Sequence, residues 1–417
     1  VSDHGVPGDE LHNLKKLRDT FNTEVAPFVF RNRKPSSHPT LVLLGAQPAA
    51  GKSKAQAAII QAHPDMVPLT GDALRRFHSD YDTLMEHAPL AMPNATARAS
   101  GAWVKMSIDH ARDNGYSLLV EGTFHDPQMT LDTARDFDNA GHQVHLVALG
   151  VNERISRLDA VNRYLDPNSA DANRWTPATA HDLGYRMSPH TVRAAEDSPH
   201  VHRITITDRT GEALFSNSRT PDGAWAGPTG AADALLASRE RPLEPDTARE
   251  WLARRDDYTA ALIKRDDLVA TTRPTLEQLH ADADIVARQA WPDPEDARHQ
   301  RRHRANQRVH RHILDSAADG VPNDLLPTRP DTFLASDTQL APRPVDSDPE
   351  LDRERERRGR LPEDRAEREA QVRSDTHALR RPPCTPQPPS PEADERGVAP
   401  PQKRRDEPHR SDPENEM

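Results

Sequence analysis

"LVLLGAQPAAGKSKAQ", residues 41–56, decides the fold. Leu41 to Leu44 form a short apolar run that reads as a buried strand; Gly45 to Gly51 then turn the chain, and a helix-favouring stretch begins at Lys52. A loop that binds a triphosphate needs inward-turned backbone N–H groups, a cation on the β and γ oxygens, and a hydroxyl on Mg²⁺. Gly51, Lys52 and Ser53 supply the end of that pattern. In the pattern G-x-x-x-x-G-K-[ST] the first glycine position is Ala46, with Gly45 one residue upstream. A Gly-Lys-Ser triplet also arises by chance, so the strand before it and the helix after it carry the argument, the helix N-terminus adding partial positive charge.

The composition limits how much of the chain folds. Only 35% of the 417 residues are hydrophobic and 4% aromatic, while 29% are charged and 38 are proline, which is too polar for a chain folded throughout. The net charge of -11 is spread over both signs and no basic stripe dominates the first half, so no nucleic-acid partner is expected. Cys384 is the only cysteine, which excludes an internal disulfide framework and a Cys-rich zinc site and fits a cytoplasmic location. The amino terminus lacks a signal-peptide core, and no run of about eighteen apolar residues offers a membrane span; a soluble, unprocessed protein without a membrane partner is expected.

Outward from the opening stretch, Leu11, Leu14, Leu17 and Phe21 recur at near-helical spacing and predict an amphipathic helix over residues 9–25. From Thr40, apolar runs at 40–45, 65–71, 117–123 and 142–150 alternate with helical patterns, the order of an α/β domain with a parallel sheet. Residues 202–217 read as a hairpin that closes this domain near 230. Residues 231–315 have helical periodicity and predict two or three helices. The expected organisation is a three-layer α/β P-loop kinase domain over 1–230, a helical extension over 231–340, and a disordered charged and proline-rich tail over 341–417.

In open sheets of this kind ligands gather at the carboxyl ends of the strands, and three further motifs sit at that edge. In "TGDALRRFHSDY" (70–81), Asp72 follows a strand and precedes a helix. It reads either as a helix N-cap or as a carboxylate that takes a proton from a hydroxyl acceptor. In "LLVEGTF", Glu121 and Thr123 end an apolar strand; Glu121 is either solvated or paired with a nearby arginine, or the two residues bind substrate hydroxyls or orient a water on Mg²⁺. In "VNRYLDPNSADANRWTPATAHD", Arg163 and Arg174 are either surface charges or the arginines that face the charge developing in phosphoryl transfer.

"GAQPAAGKS", "GDALRRFHSDY", "LLVEGTF" and "NRYL…NRWTPATAHD", in this order and spacing, resemble the zeta toxin family of P-loop kinases over about residues 10–220. The resemblance implies a kinase that uses ATP and Mg²⁺ to phosphorylate the 3'-hydroxyl of the amino sugar of UDP-N-acetylglucosamine, poisoning peptidoglycan synthesis. It further implies a small helical antitoxin as partner. By motif, the cradle is Gly45, Ala46, Gln47, Pro48, Ala49, Ala50, Gly51, Lys52 and Ser53, with Lys52 on the triphosphate and Ser53 on Mg²⁺. Asp72 matches the catalytic base, Glu121, Thr123 and Thr133 the sugar-nucleotide contacts, and Arg163 and Arg174 the two catalytic arginines. The chain departs from the family at Ala46 and Ala49, where glycine is common, and at His125, where a basic residue often follows "EGTF". Ala is cheap there if the backbone angles are negative and distorts the cradle if they are left-handed.

Two rivals stay open on the residues alone: a P-loop kinase of another small molecule such as an antibiotic, and a degenerate nucleotide-binding platform whose tail does the work. "ARHQRRHRANQRVHRHI" (297–313) gathers Arg and His, but without interleaved aromatics it reads as a solvated helix rather than an RNA contact. His303, His310 and His312 lack the companions of a metal site. "PPCTPQPPSP" has the composition of a polyproline ligand.

Overall fold

The structure is a computed structural model that describes residues 7–168, 174–293 and 297–328, all within one compact unit. The tail expected to be disordered (341–417), with Cys384 and the proline-rich string, lies outside the described residues.

Six strands form one sheet: β1 (Thr40–Gly45), β2 (Val67–Thr70), β3 (Leu118–Gly122), β4 (Gln143–Leu149), β5 (Arg203–Thr207) and β6 (Ala213–Ser218), in the order β2-β3-β1-β4-β5-β6. The first five are parallel and β6 returns antiparallel to β5. β1 is buried along nearly its whole length because helices cover both sheet faces. Its alternation feeds two cores. Leu41 and Leu43 pack with Phe21, Trp103 and Phe137, whereas Val42 and Leu44 pack with Ala46, Ala55 and Leu149. This is the three-layer, mostly parallel α/β architecture of P-loop kinases, as the sequence predicts.

The amino-terminal helix spans Pro7–Thr20 and continues through a wider turn (Phe21–Val25) into Ala26–Val29. Its packed face is Leu17, Phe21, Val25 and Val29; Leu14, expected on that face, is 52% exposed. The Trp103 indole N–H, from the helix Met92–Asp113, donates to Leu17 O at 3.0 Å and ties the two helices together.

After β6 the described residues form four α-helices where two or three were expected: Ala231–Glu240, Pro245–Lys264, Arg273–Ala290 and Ala297–Ala318. The sequence reading joined some of them because the breaks at 241–244 and 265–272 are short and as charged as the helices themselves. Packing runs across residue 230. Leu158, Val161 and Tyr164 of the helix Glu153–Leu165 share a core with Trp251, Leu262, Leu279 and Ile313. The arginine- and histidine-rich helix is solvated on one face only: Val309, His310, Ile313 and Leu314 are buried on the other. His303 pairs with Asp284 and His310 with Asp256, and among the described residues no cluster of three metal-ligating side chains occurs. None of the described helices is long and apolar enough to cross a membrane.

Candidate functional site

The strand register brings the site together. Leu44, Glu121 and Thr70 stand level on β1, β3 and β2, so the loops after all three strands open at one sheet edge. From β1 the chain enters the turn 46–51 and then the helix Lys52–Ala62. Gly51 adopts φ +95°, the left-handed conformation that lets the turn close into the helix. Ala46 keeps a negative φ and is buried, its N–H donating to Gly122 O at 3.4 Å, but Ala49 stands at φ +59°. The missing glycine at 46 therefore costs the backbone nothing, whereas alanine at 49 stores strain of about 1–2 kcal/mol.

Lys52 is buried beneath the turn. Its ammonium donates to Ala46 O and Gln47 O, each at 3.1 Å, and lies 3.8 Å from Glu121 Oε1. Burial pulls its pKa below the ordinary lysine value; Glu121 and Asp72 oppose that shift, and Arg163 and Arg174 reinforce it. The side chains sequence analysis singled out thus act on one another electrostatically. Ser53 is exposed in the first helical turn, and that turn carries no acidic residue. A buried cation, an exposed hydroxyl and an acid-free helix start suit an anionic triphosphate with its Mg²⁺.

Asp72 is not the N-cap. Thr70 fills that role, its hydroxyl accepting from the Ala73 N–H at 3.2 Å. Asp72 instead faces cations: Arg174 Nη1 lies 2.8 Å from Oδ2 and Arg75 Nε donates to Oδ1 at 3.0 Å. Desolvation raises the Asp72 pKa, but Arg174, then Arg75 and Arg163, outweigh it and hold the carboxyl below its ordinary value. Arg75 is itself anchored on the helix Met92–Asp113 through Thr96 Oγ1 at 2.6 Å and Pro93 O at 2.7 Å. Arg174 is buried and Arg163 donates to Thr176 Oγ1, so neither is a loose surface charge.

On the other side of the turn, Thr123 Oγ1 lies 2.8 Å from His125 Nδ1. Phe124 between them has φ +55° and is buried, and its carbonyl accepts from Thr191 Oγ1 at 2.9 Å. Its ring occupies the space beside Gly45: a Cβ on Gly45 would stand 2.2 Å from the ring. Thr133 lies on the helix Pro127–Asn139, where its hydroxyl donates to Met129 O at 2.9 Å.

Sequence reasoning placed Gln47 in the cradle but missed Ser156, His181 and Arg209 behind the turn. Gln47 is fully buried, its amide nitrogen donating to Val151 O at 2.8 Å and Ser156 Oγ at 3.2 Å. Ser156 Oγ in turn lies 2.9 Å from His181 Nε2, and burial lowers the His181 pKa to about 4. Arg209, from the turn between β5 and β6, lies against Gly51 and pairs with Asp159. No spacing announces these residues, because each comes from a different element and is polar in sequence.

Fold and site together define a P-loop kinase-like α/β protein. The zeta toxin family model matches residues 29–220. The chain is 25% identical to toxin zeta of Enterococcus hirae over 197 residues, 46% of this chain and 68% of that one. With toxin zeta of Streptococcus pyogenes it shares 24% identity over 213 residues, 50% of this chain and 73% of the relative. With toxin PezT of Streptococcus pneumoniae serotype 4 it shares 26% over 211 residues, 49% and 79% of the two chains. A solved structure from the PezAT chromosomal toxin-antitoxin system of Streptococcus pneumoniae superposes with a TM-score of 0.50 at 21% identity, covering 59% of this chain and 97% of that one, which bears on the fold. The similarity to zeta toxins read from the motifs thus holds, and at the level of the family it supports a kinase-type toxin, a phosphotransferase.

Proposed function

We propose that the protein is an ATP-dependent kinase that phosphorylates the 3'-hydroxyl of the amino sugar of UDP-N-acetylglucosamine and acts as the toxin of a toxin-antitoxin pair. The observation that carries this reading is the convergence of Lys52, Asp72, Glu121, Arg163 and Arg174 on one another at the end of the parallel strands. When bound, ATP with Mg²⁺ supplies the phosphoryl group and the metal's charge neutralisation. The turn from Gly45 to Ser53 holds the triphosphate, with Lys52 on its oxygens and the Ser53 hydroxyl on the metal. Ionised Asp72 would accept the proton of the acceptor hydroxyl as the new O–P bond forms and the bond from the γ-phosphorus to the β–γ bridging oxygen breaks, with ADP as the leaving group. Arg163 and Arg174 face the charge on the transferring group, and Glu121, Thr123 and Thr133 orient the sugar nucleotide.

Residues 231–340, of which 231–293 and 297–328 are described, serve as an extension to the kinase domain over 1–230, and the partner is a small helical antitoxin in the cytoplasm. The test is direct: purified protein is incubated with ATP, Mg²⁺ and a panel of UDP-sugars, nucleosides and aminoglycosides, and the phosphorylated product is sought by mass spectrometry. Phosphate on UDP-N-acetylglucosamine alone is the expected outcome. Transfer to an aminoglycoside or nucleoside instead overturns the substrate and leaves the kinase.

A further inference from the structure

Arg239 closes the helix Ala231–Glu240, beyond the stretch 29–220 that matches the family, and is 2% exposed. Its guanidinium makes three hydrogen bonds. Nη1 donates to Tyr185 O at 2.7 Å, and Nη2 donates to Ser188 Oγ at 2.6 Å and to Gln47 Oε1 at 3.1 Å. It also lies over the Tyr185 ring, 4.4 Å from its centre. All three acceptors are neutral, so a buried cation is held without a carboxylate hydrogen bond, an arrangement that is costly to maintain. Burial accordingly lowers its pKa to about 10.

What this cation secures is the turn itself. Gln47 uses its amide nitrogen on Val151 O and Ser156 Oγ, and Arg239 supplies the donor to its oxygen. Both ends of the amide are therefore engaged, and the orientation of Gln47 is determined. The backbone carbonyl of the same residue accepts from Lys52 Nζ at 3.1 Å. The helix Ala178–Asp197 closes from the other side, since a Cβ on Gly184 would stand 3.3 Å from Gln47 Cα. Without Arg239 the buried Gln47 oxygen loses its donor and the amide is free to turn.

We propose that Arg239 is a positioning residue that acts through Gln47 to hold the turn 46–51 in the conformation that receives the triphosphate. The nucleotide part rests on the kinase reading above; the holding of the turn does not.

Two measurements on the full chain separate them. Hydrogen exchange without nucleotide should be about tenfold faster at residues 46–51 in Arg239→Met than in wild type, with the helix Met92–Asp113 unchanged. The dissociation constant for a non-hydrolysable ATP analogue should rise about tenfold, with kcat at saturating ATP within about threefold. Arg239→Lys, which keeps the charge and one donor, should recover part of both effects. In a cycle with Gln47→Met, the double variant should be no weaker than the weaker single variant. Unchanged exchange at 46–51 in Arg239→Met overturns the proposal, as do effects of the two substitutions that multiply. If Arg239→Met does not fold, wild-type exchange in Arg239→Lys and in Ser188→Ala, which removes a neighbouring partner of the guanidinium, overturns it equally. Wild-type protein that binds no nucleotide overturns the kinase reading, and the exchange result then decides the holding of the turn by itself.

Discussion

Arg174 Nη1 and Asp72 Oδ2 stand 2.8 Å apart, a buried guanidinium against an exposed carboxylate. The contact keeps Asp72 ionised, since its folded pKa lies below the ordinary carboxylate value. A depressed carboxylate contributes stability that is present above its unfolded pKa and lost as pH falls through the folded one. The same sign applies to activity. The profile of kcat/KM should therefore lack an acidic limb above about pH 5, and Arg174→Ala should move the limb upward as the cation is removed. A wild-type limb centred between about pH 5 and 7 that disappears when Asp72 is replaced contradicts this assignment.

On the proposed mechanism Asp72→Asn removes the proton acceptor while keeping the side-chain shape. Transfer should fall by a factor of about 10² to 10⁴, with nucleotide affinity within about threefold of wild type, measured by single-turnover kinetics and calorimetry. Equal turnover in variant and wild type removes Asp72 from the role of base.

Ala46 and Ala49 both lie in the turn between β1 and Lys52, yet only Ala49 has a positive φ. Ala49→Gly should raise unfolding stability by about 1 kcal/mol or leave it unchanged, as released strain competes with the entropy glycine adds to the unfolded chain. Ala46→Gly should lose about 1 kcal/mol, because its buried methyl packs with Leu44 and Ala55 and no strain is relieved. Denaturant titration of the pair checks the order, and a more stable Ala46→Gly contradicts it.

Trp251, on the helix Pro245–Lys264, is buried in the core it shares with Leu158 and Val161 of the helix Glu153–Leu165, and its indole N–H donates to Arg154 O at 2.9 Å. Trp251→Ala should cost about 3–5 kcal/mol in unfolding free energy. Because it loosens the helix that carries Arg163, kcat should fall more than nucleotide affinity does. Loss of nucleotide binding with kcat preserved would point away from Arg163 as a group that acts on the transferring phosphate.

His125 holds Thr123 at 2.8 Å. His125→Arg adds a permanent cation beside Thr123 and, on the proposed reading, should lower KM for UDP-N-acetylglucosamine by about 3- to 10-fold with KM for ATP unchanged. A fall in KM for ATP instead would assign this loop to the nucleotide side.

The sheet was legible because its strands are short, apolar and bounded by polar residues: the run 40–45 is β1, and 142–150 contains β4. Asp72, Glu121 and the two arginines were legible as motifs, but their mutual contacts were not, since pairing depends on strand order, which apolar periodicity does not encode. Thr70 could have been recognised as the cap from its hydroxyl one residue before the helix. Arg239 could not. It sits in "SRERP", a string with the composition of surface, and is buried only because Tyr185, Ser188 and Gln47 meet there from distant parts of the chain.

The ring of Phe124 beside Gly45 has a consequence for how this site can evolve. Any side chain at 45 must displace that ring, and the ring is held by a left-handed backbone and by Thr191 bonding its carbonyl. Gly45 is thus required by a neighbour, whatever the turn binds. Among relatives the two positions should change as a pair, a smaller residue at 124 accompanying any departure from glycine at 45, so that drift in the loop after β3 is constrained by the residue that opens the turn after β1.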